Sequence, residues 1–246
     1  MKKLAVILIF VSSFVNAQQK YTESVQQVWT GYFNQSRISD RWGIWFDAQL
    51  RTREYFFEGA GLTIIRPGLT YYVNDAVKLT AGYGYIVQYA QDNFIEPRPE
   101  HRPWQQVQWH TRYGRNSTMQ YLRLEERFRK KIAPDSTMAA GNNFSYRVRY
   151  NLLWQLPLGK SPSGKGGLSW IFNDEIHIGF GKEVVYNYFD QNRFFTGISY
   201  QAGASSNFQL GYINVFQQFP SGNRYRMTHG ARIFFLQNLD LRSAKK

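Results

Sequence analysis

Hydrophobic and polar positions alternate along this chain with a period of two, and two stretches show it most plainly. In residues 119–129, MQYLRLEERFR, Leu122, Leu124 and Phe128 share one parity; Tyr121, Arg123, Glu125, Arg127 and Arg129 share the other. In residues 144–156, FSYRVRYNLLWQL, the apolar parity carries Phe144, Tyr146, Val148, Tyr150, Leu152, Trp154 and Leu156. The opposite parity carries Ser145, Arg147, Arg149, Asn151 and Gln155. Successive strand residues point to opposite faces, so each stretch predicts a β-strand with one apolar and one cationic face. A soluble sandwich buries the apolar face and wets the charged one. A membrane barrel turns grease outward to lipid and charge inward to a lumen.

The same reading predicts strands near residues 25–35, 42–53, 62–73, 77–89, 104–113, 119–130, 144–156, 168–178, 193–201, 208–218 and 225–237. Many reach the ~9–11 residues that a tilted membrane strand needs, longer than the ~5–6 typical of soluble sheets. Short turns at 39–40, 74–75, 114–117 and 203–206 alternate with longer connections at 54–61, 90–102, 133–143, 179–192 and 219–224. That alternation predicts tight periplasmic turns and longer extracellular loops. The connection at 159–167, GKSPSGKGG, is long where a tight turn is expected. Eleven stretches are visible, but bacterial single-chain barrels have an even number of strands. Twelve are therefore expected, one hidden in the first twenty residues of the mature chain, with ten as the alternative. The expected fold is all-β: a single antiparallel transmembrane β-barrel over residues 18–246, with no domain linker.

Residues 1–17 read as a cleaved secretory signal peptide: Lys2 and Lys3, an apolar core from Leu4 to Val11, and Val15-Asn16-Ala17 as the cleavage site. Export to the outer membrane of a Gram-negative bacterium is the expectation, with no disulfide or thiol chemistry because the chain has no cysteine. Elsewhere no apolar run approaches the ~20 residues of a spanning helix. The formal charge is +13, from 30 Lys and Arg against 17 Asp and Glu. A basic balance raises nucleic acid as a partner. Here the arginines are spread at alternate positions through many strands, and no nucleic-acid binding is expected. The expected partners are outer-membrane lipids and lipopolysaccharide, for a monomeric barrel.

Sorting by parity gives outward candidates Trp42, Ile44, Phe46, Leu50, Leu69, Tyr71, Tyr83, Tyr85, Val107, Trp109, Ile176, Ile178, Ile198 and Tyr200. Aromatics near strand ends fit the two membrane–water interfaces. The inward set predicts a lumen network of Asp47, Arg51, Arg66, Arg112, Arg123, Glu125, Arg127, Arg147, Arg149, Glu175, His177 and Arg193, joined by Gln49, Arg53, Gln106, Gln108, His110 and Gln201.

Several local patterns then converge on a family. They are Glu100-His101-Arg102-Pro103-Trp104-Gln105-Gln106, Arg123-x-Glu125-Glu126-Arg127-Phe128-Arg129, Tyr146-Arg147-x-Arg149-Tyr150, Asn173-Asp174-Glu175 and Asp190-Gln191-Asn192-Arg193-x-x-x-Gly197. In their order and spacing the chain resembles the outer-membrane β-barrel proteins of domain-of-unknown-function family 2490, over essentially the whole mature length. The resemblance implies fold and location and carries no activity or site. The last strand, closing on Ile233-Phe234-Phe235-Leu236, also resembles the aromatic-ended final strand that barrel assembly machinery recognises, although about ten residues follow it.

The Arg/Glu system supports two readings. Long side chains linked by charge-assisted hydrogen bonds fill the lumen of a narrow barrel and plug it. Alternatively, excess arginine lines a constriction that favours anions. The plug, in a structural or assembly-associated barrel, is the first expectation, a narrow channel for small anionic solutes the second, and a lipid-modifying enzyme the third. The histidines His101, His110, His177 and His229 sit beside no serine in a nucleophile motif, so no enzyme is expected. His110, Glu125, Glu175 and His177 lack the spacing of a metal site, and no cofactor is expected. The loop aromatics Tyr55-Phe56-Phe57 and Tyr186-x-Tyr188-Phe189 predict a girdle or a cover over the barrel mouth, with sugar stacking as the alternative.

Overall fold

The structure, a computed structural model, describes residues 20–90, 94–159 and 166–242; the expected signal segment lies outside them. The alternating stretches form β1 Tyr21–Arg37, β2 Trp42–Glu54, β3 Glu58–Tyr72, β4 Val77–Gln88, β5 Arg98–Tyr113 and β6 Asn116–Ile132. They continue as β7 Met138–Leu158, β8 Leu168–Phe180, β9 Phe189–Gln201, β10 Ser206–Gln218 and β11 Arg224–Asp240. Each strand pairs antiparallel with the next in sequence, and the sheet closes into a barrel.

Closure corrects the expected strand number. The barrel is built of eleven strands among the described residues, neither twelve nor ten. No second strand hides in residues 20–37, because β1 alone occupies Tyr21–Arg37. In an up-and-down chain with an odd number of strands, the first and last run the same way. The closing pair must then be parallel, and β1 pairs with β11 parallel from Tyr21↔Arg224 to Arg37↔Asp240. One end of the barrel therefore carries the start of β1 and the other the end of β11.

Several connections are shorter than expected. β3 begins at Glu58, β5 at Arg98 and β7 at Met138, all inside stretches read as loops. Backbone ladder bonds hold these rim residues in strand after the face alternation has faded, since pairing with a neighbour does not depend on burial. Between β2 and β3 only three residues remain, and Tyr55 and Phe56 adopt positive φ there, 45° and 62°.

The faces sort as the parity predicts over most of the wall. Trp42, Ile44, Leu50, Leu69, Tyr83, Tyr85, Ile176 and Tyr200 are exposed outside. Asp47, Gln49, Arg66, Gln106, Gln108, Arg123, Glu125, Arg147, Arg149 and His177 are buried. The interior also holds rings and aliphatic groups. Trp45 and Trp104 meet edge to face at 5.7 Å, and Trp29, Ile171, Phe195, Ile213 and Val215 form one cluster. Gly82, opposite Gly68 on the β3–β4 ladder, makes room for Trp104: a Cβ there would lie 2.7 Å from the indole.

Candidate functional site

The barrel interior gathers the charged side chains of seven strands into one connected network. Its hub is Glu125 on β6, fully buried. Arg147 on β7 binds one carboxylate oxygen at 2.5 Å, and Arg149, two residues further along the same face, binds the other at 2.8 Å. Arg102 on β5 stands 3.7 Å away, and Arg66 on β3 and Arg123 on β6 stand at 4.0 Å. This convergence follows from the register. Glu125 lies directly opposite Arg147 and Trp104, so residues of the same inward parity on β5, β6 and β7 meet side by side.

The network extends in both directions. Asp47 on β2 lies opposite Arg66 and takes a bidentate fork from it, with Nη2 at 2.9 Å and Nε at 3.0 Å, plus the Trp45 indole N–H at 2.8 Å. Glu100 on β5 binds Arg102 at 2.7 Å and Arg127 at 2.8 Å. Asp190 on β9 binds Arg147 at 2.8 Å and stands 3.6 Å from Arg127. Glu175 on β8 accepts from Arg149, Tyr121 and Arg193, the last at 3.4 Å. His177, fully buried, places Nε2 2.9 Å from Glu175, while its Nδ1 faces the Gln191 amide at 3.4 Å. The amide can only donate to Nδ1, so the proton belongs on Nε2, directed at the carboxylate. Ionised pairs removed from water persist only where each charge finds partners, and these five carboxylates do.

The arginines outnumber them. Arg51 lies 3.6 Å above the Trp29 ring and reaches the Gln49 side chain at 3.3 Å. Arg232 lies 3.3 Å from the Phe195 ring centroid and bonds Gln209 and Asn173. Arg123 lies 4.3 Å from the Trp104 ring and binds Gln106. Buried and without a hydrogen-bond partner are Arg51 Nε, Arg123 Nη1, Arg129 Nε and Arg232 Nε. The network wraps a cavity of about 350 Å³ that extends to the β8–β9 connection, where Tyr186 and Tyr188 line it.

Of the twelve expected network residues, Arg112 stands apart. It has the inward parity but lies in the last two residues of β5, exposed at the turn end. The polar rim, where water solvates a guanidinium without a partner, holds it outside the network. His110 is likewise exposed, bonded to Gln108 at 2.9 Å. Among the described residues, no group of three or more His, Asp or Glu could hold a metal ion. The other expected members lie in the interior. Glu100, Arg102, Asp190 and Arg232 join them unexpected. Glu100 and Arg102 fell in a stretch read as a loop, although Glu100, Arg102, Trp104 and Gln106 continue one parity. Asp190 has the wrong parity. A β-bulge opposite His177 and Ile178 inserts it as an extra residue, so Asp190 and Gln191 both line the cavity.

A protein of Methylorubrum extorquens described as uncharacterized is 28% identical over 156 residues, which spans 61% of this chain and 61% of that relative. No solved structure matches the chain. A family model covers residues 26–226, from β1 into β11, and the chain belongs to the family it describes, protein of unknown function DUF2490.

Proposed function

We propose that this chain is an outer-membrane β-barrel with a cross-braced interior, structural or assembly-associated in role and closed to bulk flow. The observation that carries the reading is inverted polarity. Among the described residues, 25 polar or charged side chains are buried against 12 hydrophobic ones, while tryptophans, tyrosines and leucines stand exposed on the outer wall. Such a wall is stable against lipid and costly against water. Lipid and lipopolysaccharide contact that wall, the turn end faces the periplasm, and assembly machinery inserts the barrel as a monomer. The reading is not enzymatic. His177 is engaged by Glu175 and Gln191, and His229 by Tyr212 at 2.5 Å and by Asn214.

A second reading, a narrow channel for small anionic solutes, is favoured by the surface of the cavity, which ten arginines line against three carboxylates. Two measurements decide. Membrane fractionation should recover the protein with the outer membrane, and recovery in the soluble periplasm would overturn the location. Purified protein in a planar bilayer under a salt gradient should be silent while its heat-modifiable gel mobility shows it folded. Steady anion-selective conductance would replace the closed barrel with the channel.

A further inference from the structure

The charges inside the barrel do not balance, and the imbalance is local. Glu125, Glu100 and Asp47 take up Arg66, Arg102, Arg127, Arg147 and Arg149. Around the β11/β1 seam the wall carries arginines whose side-chain partners are mostly amides and rings. Arg51 and Arg193 both lie against Trp29, at 3.6 and 5.2 Å from the ring, so their guanidinium groups stand beside one indole. Phe195, which carries Arg232, packs in the same cluster as Trp29. Among the described residues Arg51 and Arg232 form no ion pair with a carboxylate, whereas Arg193 also reaches Glu175 at 3.4 Å. Arg232 is 6% exposed and its Nε has no partner; Arg51 Nε has none either. Guanidinium groups converging in a low-dielectric interior repel one another unless an anion lies between them.

We propose that this seam-side chamber binds a small organic anion, a carboxylate or phosphate carried on an apolar body. Arg51, Arg193 and Arg232 would hold the anionic head, and Trp29, Phe195 and Ile213 would pack the body. The chamber is part of a cavity of about 350 Å³, within the range of small-molecule pockets, and its mixture of apolar walls with a few charged groups is their usual composition. The proposal depends on the interior alone and holds whether the barrel is closed or conducting.

The test titrates the folded full chain in detergent with 4-nitrobenzoate and with 4-nitrophenyl phosphate, reading quenching of tryptophan fluorescence. Neutral 4-nitrobenzyl alcohol is the control. Saturable quenching is expected with at least one anion, at least tenfold tighter than with the alcohol. The preferred probe distinguishes a carboxylate from a phosphate ligand. Arg51→Gln and Arg232→Gln should each weaken the anion at least tenfold and leave the alcohol unchanged. Neither substitution orphans a carboxylate. Equal quenching by anion and alcohol, no saturable quenching by either anion, or unaltered affinity in both variants would overturn the proposal. The wild-type contrast between anion and alcohol decides even where a variant fails to fold. Bilayer conductance is recorded on the same preparation, so a failure of the closed-barrel reading is seen separately from a failure of binding.

Discussion

The two halves of the barrel interior are built from the same residue types and solve opposite problems. On the half formed by β5–β8, Arg102, Arg127, Arg147 and Arg149 each have a carboxylate within reach, and single carboxylates serve guanidinium groups from different strands. On the half around the β11/β1 seam, Arg51 and Arg232 lie on aromatic rings and take neutral amide acceptors. The first half is a brace that resists change. In the second, positive charge is held in place without being neutralised, which is how a protein prepares a site for an anion. Guanidinium suits both tasks, since its planar fork pairs bidentately with carboxylates and its face stacks on rings.

The largest expected effect tests the brace. Replacing Arg147 and Arg149 together by alanine strips Glu125 of its two closest partners and takes one each from Asp190 and Glu175. Each broken buried pair costs about 3–5 kcal/mol, comparable with the whole stability of a domain. The double variant should show no folded, heat-modifiable band on a gel. A normal band with an unchanged urea midpoint would mean the network is not a brace.

A smaller effect should come from the backbone of the seam half. Gly197 on β9 faces Gly211 on β10, and a Cβ on either would collide with the carbonyl opposite. Overpacking of this kind costs about 1–3 kcal/mol. Gly197→Ala should lower the unfolding free energy by that amount, read from a lower urea midpoint at unchanged slope, and an unchanged midpoint would show that the wall there is pliant.

Smaller still is the expected stability change of Arg232→Gln, within about 1 kcal/mol, because the lost cation–π contact is offset by removing an uncompensated charge. A loss as large as that of the braced arginines would erase the distinction between the halves. The smallest effect lies outside both. The hydrogen bond and charge of Arg37, 2.7 Å away, hold the Asp75 carboxyl in the β3–β4 turn below the usual carboxylate range. A depressed carboxylate stabilises the fold above its unfolded value, about 3.9, and that contribution is lost as pH falls through its lower folded value. Asp75→Asn should therefore lower stability slightly at pH 7, with the difference from the parent chain shrinking below pH 4. Asp75 is exposed, so a difference that grew in acid would contradict the assignment.

Much of the site was legible from local pattern. Asp47, Arg66, Arg123, Glu125, Arg147, Arg149, Glu175 and His177 all fall on the polar parity of strongly alternating strands, and all are buried. What escaped did so for identifiable reasons. Glu100 and Arg102 continue a visible alternation, but Pro99 and Pro103 beside them read as loop punctuation. Trp45 and Trp104 were assigned to neither face; they share the parity of Asp47 and Gln106 and pack inside, one of them in space that Gly82 leaves open.

The sequence by itself determined the strands, their inward and outward faces, and an interior rich in arginine and glutamate, because a period of two is a property of neighbouring residues. Tertiary structure alone decided the number of strands that close the barrel, the parallel seam between Tyr21–Arg37 and Arg224–Asp240, and the inward turn of Asp190. It also decided which arginines meet a carboxylate and which meet a ring. Those outcomes depend on pairing partners far apart in the chain and on a single inserted residue, and a bulge or a closing register leaves no mark on local alternation.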